Sequence, residues 1–241
     1  WGCLMGIMKN YDLINPFVSA TSDAFARLQP GFEAPTHPVA SIGRDVLTPS
    51  RNRSVLLGVV RSLTNKYCTR FELRSPNPHT NTYLCLSAVY QCMLDGIHYA
   101  INSGKTSKQL EAEFTKKYGE SGDYLETNRL YRCEEDIFES MTGEERNKLF
   151  GIPPATVYDS LKNLMISDSV CDILCAGDVF SDKILASYSN AMLNMWQMEL
   201  LERIIPSNLS LLRSFSKKHT ISNTYDDETW STIENMRLSL A

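Results

Sequence analysis

The sequence has no run of apolar residues approaching the roughly 18 that a bilayer-crossing helix needs. Its N-terminal stretch also lacks the basic-then-apolar pattern of a secretion signal. Both absences point away from a membrane. Positive charge is not in excess: 24 Lys and Arg face 28 Asp and Glu, for a net charge of −4. Nothing global therefore favours nucleic acid, and any anion site must be a local cluster of cations. No internal repeat and no low-complexity tract is visible. The seven cysteines, Cys3, Cys68, Cys85, Cys92, Cys133, Cys171 and Cys175, form no CxxC pair. That usage fits a reducing, cytoplasmic compartment, where Cys serves as a small buried apolar residue.

What is present is a chain of 241 residues, 43% of them hydrophobic, ample for a buried core. It begins at Trp1 inside an apolar segment, which reads as a piece of a longer protein. Trp1, Leu4, Met5 and Met8 recur at helical spacing, so a helix is expected over 1–13, ended by Asn15-Pro16. A short helix is expected from Ser22 to Leu28. The stretch Gln29–Asn52 holds Pro30, Gly31, Pro35, Pro38, Gly43 and Pro49 and reads as a long loop. Two strands follow: an apolar one over Ser54–Val60, and an alternating one over Thr69–Arg74. Asn81 caps a helix reaching about Asn102, with Leu84, Ala88, Cys92 and Ile97 in its apolar stripe. Further helices are expected over Ser107–Tyr118, Glu134–Phe150, Ala155–Met165 and Ser181–Ile205, with Gly122–Arg132 as loop. After Pro206 comes a polar connection and a final helix opened by Asp226, Asp227 and Glu228.

The strand Arg70-Phe-Glu-Leu-Arg74 carries the most chemical information. Period-2 geometry sends Arg70, Glu72 and Arg74 to one face, with Phe71 and Leu73 on the other. Buried without partners, three charges would each cost several kcal/mol. They can satisfy one another as a structural salt-bridge ladder, which is the simpler reading of spacing alone. In a polar cleft, Glu72 would instead be a hard oxygen ligand for Mg²⁺ or Mn²⁺. The arginines would then hold a carboxylate or phosphate. Two weaker signals precede it. Arg27-Leu-Gln-Pro-Gly-Phe-Glu-Ala-Pro35 places Glu33 on a constrained loop, and Arg51-Asn-Arg-Ser54 stands at the entrance to the buried strand.

Taken together and in order, these pieces resemble the second half of the glutamine synthetase catalytic domain. The family's flap motif, roughly RLxPGYEAP, is RLQPGFEAP here, and its NRSAxxRIP strand is NRSVLLGVV. Its RxExRxPDPxANPYLxxAAxxxAGLDGI block is RFELRSPNPHTNTYLCLSAVYQCMLDGI. The stretch LCAGDVFSDKILASYSNAML is similar to the family's closing helix. The resemblance implies an α+β, mostly helical fold, with helices packed on a few antiparallel strands of the catalytic-domain sheet. Residues 1–206 would be the C-terminal portion of that domain and 207–241 a helical extension.

Position by position, the resemblance implies that Arg27 and Arg74 bind the substrate glutamate. Glu33 would shield the γ-glutamyl phosphate and help deprotonate ammonium. Arg53 would contact the transferring phosphate, Arg70 the ATP phosphates, and Glu72 the Mg²⁺ or Mn²⁺ ion bridging them. L-glutamate, ammonia and ATP are the implied substrates. The parent would be a cytoplasmic homo-oligomeric ring, with no nucleic-acid or membrane partner. The chain alone is expected to be inactive, with apolar surface exposed around Val55–Val60 for want of partner strands. Acceptance of another amine, or a non-catalytic assembly or regulatory role, stays open. The chain also departs from the family. Gly58 stands where an arginine is usual, and Arg61 is one register away. The adenine-side lysine falls at Tyr67, next to Lys66, and the loop between Pro35 and Asn52 is longer. Tyr131 falls near a regulatory tyrosine of some bacterial members, but its surroundings differ and it reads as a surface residue.

Overall fold

The computed structural model describes residues 1–21, 24, 25, 28, 37–45, 47–166 and 170–199. Two compact units divide the chain, Trp1–Ser189 and Asn190–Ala241. Of the second, only residues 190–199 are described. The expected helices at Ser22–Leu28 and after Asp226 fall wholly or partly outside the described residues.

The N-terminal apolar segment forms two helices, α1 (Gly2–Lys9) and α2 (Tyr11–Val18), broken only at Asn10. Pro16 does not end the second helix as its local preference predicts. The last turn is held by burial instead: Phe17 is 1% exposed and Val18 is fully buried. Tertiary packing overrides a weak local rule here.

Three short strands follow: β1 (Ala40–Ser41), β2 (Leu57–Val60) and β3 (Arg70–Leu73). They order as β1-β2-β3. The β2–β3 pair is antiparallel, as expected, with Leu57 opposite Leu73 and Gly58 opposite Glu72. The sheet as a whole is mixed, because β1 lies parallel to β2 within a stretch whose composition reads as loop. Beyond β1, Arg132 bridges to Ala40.

The chain then turns helical. Asn81 caps α3 (Thr82–Asn102) as expected, accepting from the amides of Tyr83 at 3.1 Å and Leu84 at 3.2 Å. Thr106 and Gln109 form a capping box opening α4 (Ser107–Phe114). The segment expected as one helix over Glu134–Phe150 is two, α5 (Ile137–Ser140) and α6 (Gly143–Phe150). Thr142 interrupts it, because its hydroxyl caps α6 in a second capping box with Glu145. Helices α7 (Val157–Ile166) and α8 (Asp182–Glu199) complete the described chain.

The main core lies where α1 and α2 meet α3 and the inner face of the sheet, around Met5, Met8, Ile14, Phe17, Leu57 and Cys92. Glycine sets how closely α1 and α3 approach. A Cβ on Gly6 would stand 2.0 Å from the Cys92 carbonyl oxygen, and one on Gly96 would stand 2.1 Å from that of Gly2. The backbones are thus in direct contact. Glu113, buried at the end of α4, accepts from the amides of Tyr124 at 2.8 Å and Leu125 at 3.1 Å, and pairs with Lys105 at 2.7 Å. Burial pushes its carboxyl up, but these bonds and that of Tyr99 outweigh it and hold it at about 2.

Expected consequences follow for stability. Gly6→Ala forces apart two backbones that cannot rotate away, and should cost about 2–3 kcal/mol, read as a lowered Tm. His37 is buried against Phe150 and shares a hydrogen bond with Asn147 at 2.9 Å. Burial lowers its pKa from 6.5 to about 4. The unfolded chain therefore takes up this proton first on acidification. Its contribution to stability is complete above pH 6.5 and drains away as pH falls from 6.5 to about 4. A His37→Gln variant should lose that part of the slope in denaturant titrations run across this window.

Candidate active site

The site is built on the outer face of the sheet. Directly opposite residues share a face, so the ladder puts Ser41, Gly58 and Glu72 in one row, with Val60 and Arg70 beside them. Leu57, Leu73 and Ala40 turn to the core side. Alternation had assigned Arg70, Glu72 and Arg74 to one face; the register agrees for Arg70 and Glu72, and Arg74, just past β3, reaches over Gly58 on the same side.

The three charges do not form a continuous ladder. Arg74 Nε donates to Glu72 Oε1 at 3.0 Å. Arg70 turns instead to the Cys68 carbonyl, at 3.2 Å, and stays exposed. Arg74 is the anchored one: its Nη1 donates to the carbonyls of Asn52 at 2.6 Å and Val55 at 3.1 Å. Its side chain is 14% exposed, against 42% for Glu72. Three of the five N–H groups of a guanidinium are thereby engaged within the protein. What remains, Nη2, lies over Gly58, only 2.6 Å from where a Cβ would stand.

Arg53 is exposed on the turn whose carbonyls Arg74 holds. That turn is fastened from its other side as well. Asn52 Nδ2 donates to the Glu135 carbonyl at 2.7 Å, and its Oδ1 accepts from Ser54 N at 2.9 Å and Ser54 Oγ at 2.6 Å. Ser54 Oγ in turn accepts from the amide of Ile137 at 3.0 Å. Next to Gly58, Ser41 donates to Glu134, which also accepts from Arg132 Nε at 2.7 Å and from the amides of Ile42 and Gly43. Burial pushes the Glu134 carboxyl up, yet these bonds prevail and hold it below the ordinary range. Asn52, Ser54 and Glu134 were not singled out by sequence reasoning. The Asn-x-Ser spacing of a local side-chain turn is the one signal that could have pointed to the first two.

Arg27 and Glu33 lie outside the described residues. Tyr67 is 87% exposed, in the turn Lys66–Cys68 between β2 and β3. Arg61 does not replace the missing arginine at position 58, because β2 and β3 pair without a bulge from Leu57 to Val60. Two expectations are corrected. Val55, Leu56 and Leu57 are fully buried and Val59 is 7% exposed, so apart from the part-exposed Val60 this stretch is covered within the chain. Tyr131 is 1% exposed rather than at the surface: its hydroxyl accepts from the Glu126 amide and its ring lies under Arg129. Burial raises its hydroxyl to about 12.

For a divalent cation, Glu72 fits as a single donor: it is half-exposed and meets Arg74 through one of its two oxygens. No group of three or more His, Cys, Asp or Glu able to hold a metal occurs among the described residues. Any further oxygen ligands must come from elsewhere. Among the described residues no helix is long and apolar enough to cross a membrane.

A small sheet with helices packed against its inner face also occurs in known proteins. The family model described as glutamine synthetase, catalytic domain, matches residues 2–121. A glutamine synthetase of Vibrio alginolyticus is 27% identical over 183 residues, covering 76% of this chain and 31% of that protein. One from Streptomyces filamentosus is 36% identical over 92 residues, covering 38% of the chain and 18% of the protein. The cryo-EM structure of Plasmodium falciparum glutamine synthetase has the same fold, with a TM-score of 0.51 at 19% identity. It is matched over 80% of this chain and 37% of its own. The chain belongs to the glutamine synthetase family, and it spans about a third or less of the curated relatives it matches.

The turn beneath Arg53 should be sensitive to its fastenings. Asn52→Ala strands the Ser54 hydroxyl and the Glu135 carbonyl, and is expected to lower stability by about 1–3 kcal/mol in chemical denaturation.

Proposed function

We propose that the protein to which this chain belongs ligates ammonia to L-glutamate at the expense of ATP, through a γ-glutamyl phosphate. One observation carries the reading: Glu72 and Arg74 leave one face of the sheet at the turn that presents Arg53. These residues fall within the matched family region.

The γ-phosphoryl group of ATP passes to the γ-carboxylate of glutamate, leaving ADP and an acyl phosphate. Ammonia then attacks the activated carbonyl, and inorganic phosphate departs. The first step spreads charge over the transferring group, and catalysis is mainly positioning and electrostatic stabilisation. Arg53 is assigned to that charge and Arg70 to the remaining ATP phosphates. Glu72 is assigned one oxygen ligand of a Mg²⁺ or Mn²⁺ ion, which when bound neutralises phosphate charge. Arg27 and Arg74 are assigned to the glutamate carboxylate, Arg74 through the Nη2 edge that its internal bonds leave over. Glu33 is assigned to exclude water from the acyl phosphate and to accept a proton from ammonium. A cytoplasmic homo-oligomeric ring completes the reading.

A non-catalytic role has one specific observation in its favour: Gly58 takes the place of the usual arginine, and Arg74 is largely occupied by the protein. A γ-glutamyl ligase acting on another amine would use the same residues. Phosphate release by the longer protein, given ATP, glutamate and either ammonium, ethanolamine or putrescine, separates all three. Turnover with ammonium is expected, and Arg53→Ala should lower kcat about 100-fold. Turnover only with an organic amine would replace the acceptor, and none with any amine would favour the non-catalytic role. This chain alone should show only weak binding of ADP with Mn²⁺ in calorimetry.

A further inference from the structure

The turn Asn52–Val55 is pinned through its backbone by a residue from another strand. Two carbonyls, those of Asn52 and Val55, converge on one nitrogen of Arg74, at 2.6 and 3.1 Å. Left without that cation, they would place two negative dipole ends side by side beneath an exposed arginine, where an anion is to be received. The guanidinium removes that cost. It can lie where it does because residue 58 has no side chain: a Cβ there would stand 2.6 Å from Nη2 and 3.3 Å from Cζ.

We propose that Arg74, besides its assigned contact with glutamate through Nη2, acts toward phosphate as a positioning residue: admitted by Gly58, it clamps the Asn52–Val55 turn through Nη1 and so presents Arg53 to its anion. The proposal rests on the assignment of Arg53 to a phosphoryl group. An arginine side chain loses considerable rotamer freedom when it grips an anion. Fixing the backbone beneath it beforehand limits what is lost on binding. Arg74 reaches the turn with a planar fork in which Nε is braced by Glu72 at 3.0 Å. A lysine would keep the charge but has no such fork. Gly58 thus takes on a function of its own, since the space an arginine would fill at that position is used by Arg74.

The test uses the chain itself and two measurements. Amide hydrogen exchange over residues 53–57 reports the clamp, and calorimetric titration with inorganic phosphate reports the anion site. Gly58→Ala presses on the guanidinium of Arg74 and on no backbone atom, so it probes the clamp without breaking the β2–β3 ladder. Arg74→Lys probes it from the other side. Both variants should speed exchange in the turn about tenfold. Both should weaken phosphate binding about tenfold, and neither should weaken it further once Arg53→Ala is present. Unchanged exchange in both variants would overturn the clamp. Equal phosphate losses with and without Arg53 would show direct anion contact by Arg74 and overturn the positioning role. If Arg53→Ala alone leaves phosphate binding intact, the assignment of Arg53 fails and the positioning role falls with it. That result is distinct from a failure of the clamp, which the exchange data report separately. Should Arg74→Lys not fold, Gly58→Ala alone decides.

Discussion

A guanidinium largely withdrawn from solvent has to find acceptors for a fan of rigid donors, and the outer half of this sheet is arranged around that demand. Arg74 draws in a carboxylate from its own strand and two carbonyls from the chain leading into β2. The turn so formed cannot drift, because Asn52 and Ser54 tie it to the segment before α5. Glu134 does the same for the ends of β1, gathering Ser41, Ile42, Gly43 and Arg132. Polar side chains bonded to backbone hold this side of the molecule together, over a small apolar cluster of Val39, Val55, Ile137 and Phe150. The opposite side obeys another rule. There α1 and α3 meet backbone to backbone, and any atom beyond hydrogen at Gly6 or Gly96 would intrude.

Much of the scaffold was legible because it depends on local pattern. The alternation of Arg70 to Arg74 gave a strand and its faces, and Asn81 announced the start of α3. The failures share a physical cause. Pro16 sits in a helix because Phe17 and Val18 are buried by segments far along the chain. The strand Ala40–Ser41 is too short to show a period, and its partners are Leu57 and Arg132. Thr142 reads as an ordinary helix residue until its hydroxyl is seen to cap.

For the site, sequence order pointed to Arg53, Glu72 and Arg74; the structure pairs Glu72 with Arg74 and bonds Arg74 to the backbone on either side of Arg53. Their division of labour was not legible. Two of the three acceptors that hold Arg74 are main-chain carbonyls, and a carbonyl leaves no trace in the identity of its residue. Sequence likewise recorded Gly58 as a missing arginine. Only the fold shows that the vacated volume is filled, and by which side chain.

The fastening of the Arg53 turn to Glu135 joins residues 83 positions apart. On a ribosome, Asn52 and Ser54 emerge long before the backbone groups that hold them. The two paired strands and the first helices can gather early, whereas the outer fastening of the Arg53 turn must wait for the stretch around the start of α5. Contacts of such sequence separation are slow to form, because loop closure comes before their reward. Of the residues assigned to chemistry, Arg53 is therefore the one whose setting is completed late. An intermediate stalled before residue 135 would have a core and Arg74 on its two carbonyls, but a turn without its outer fastening.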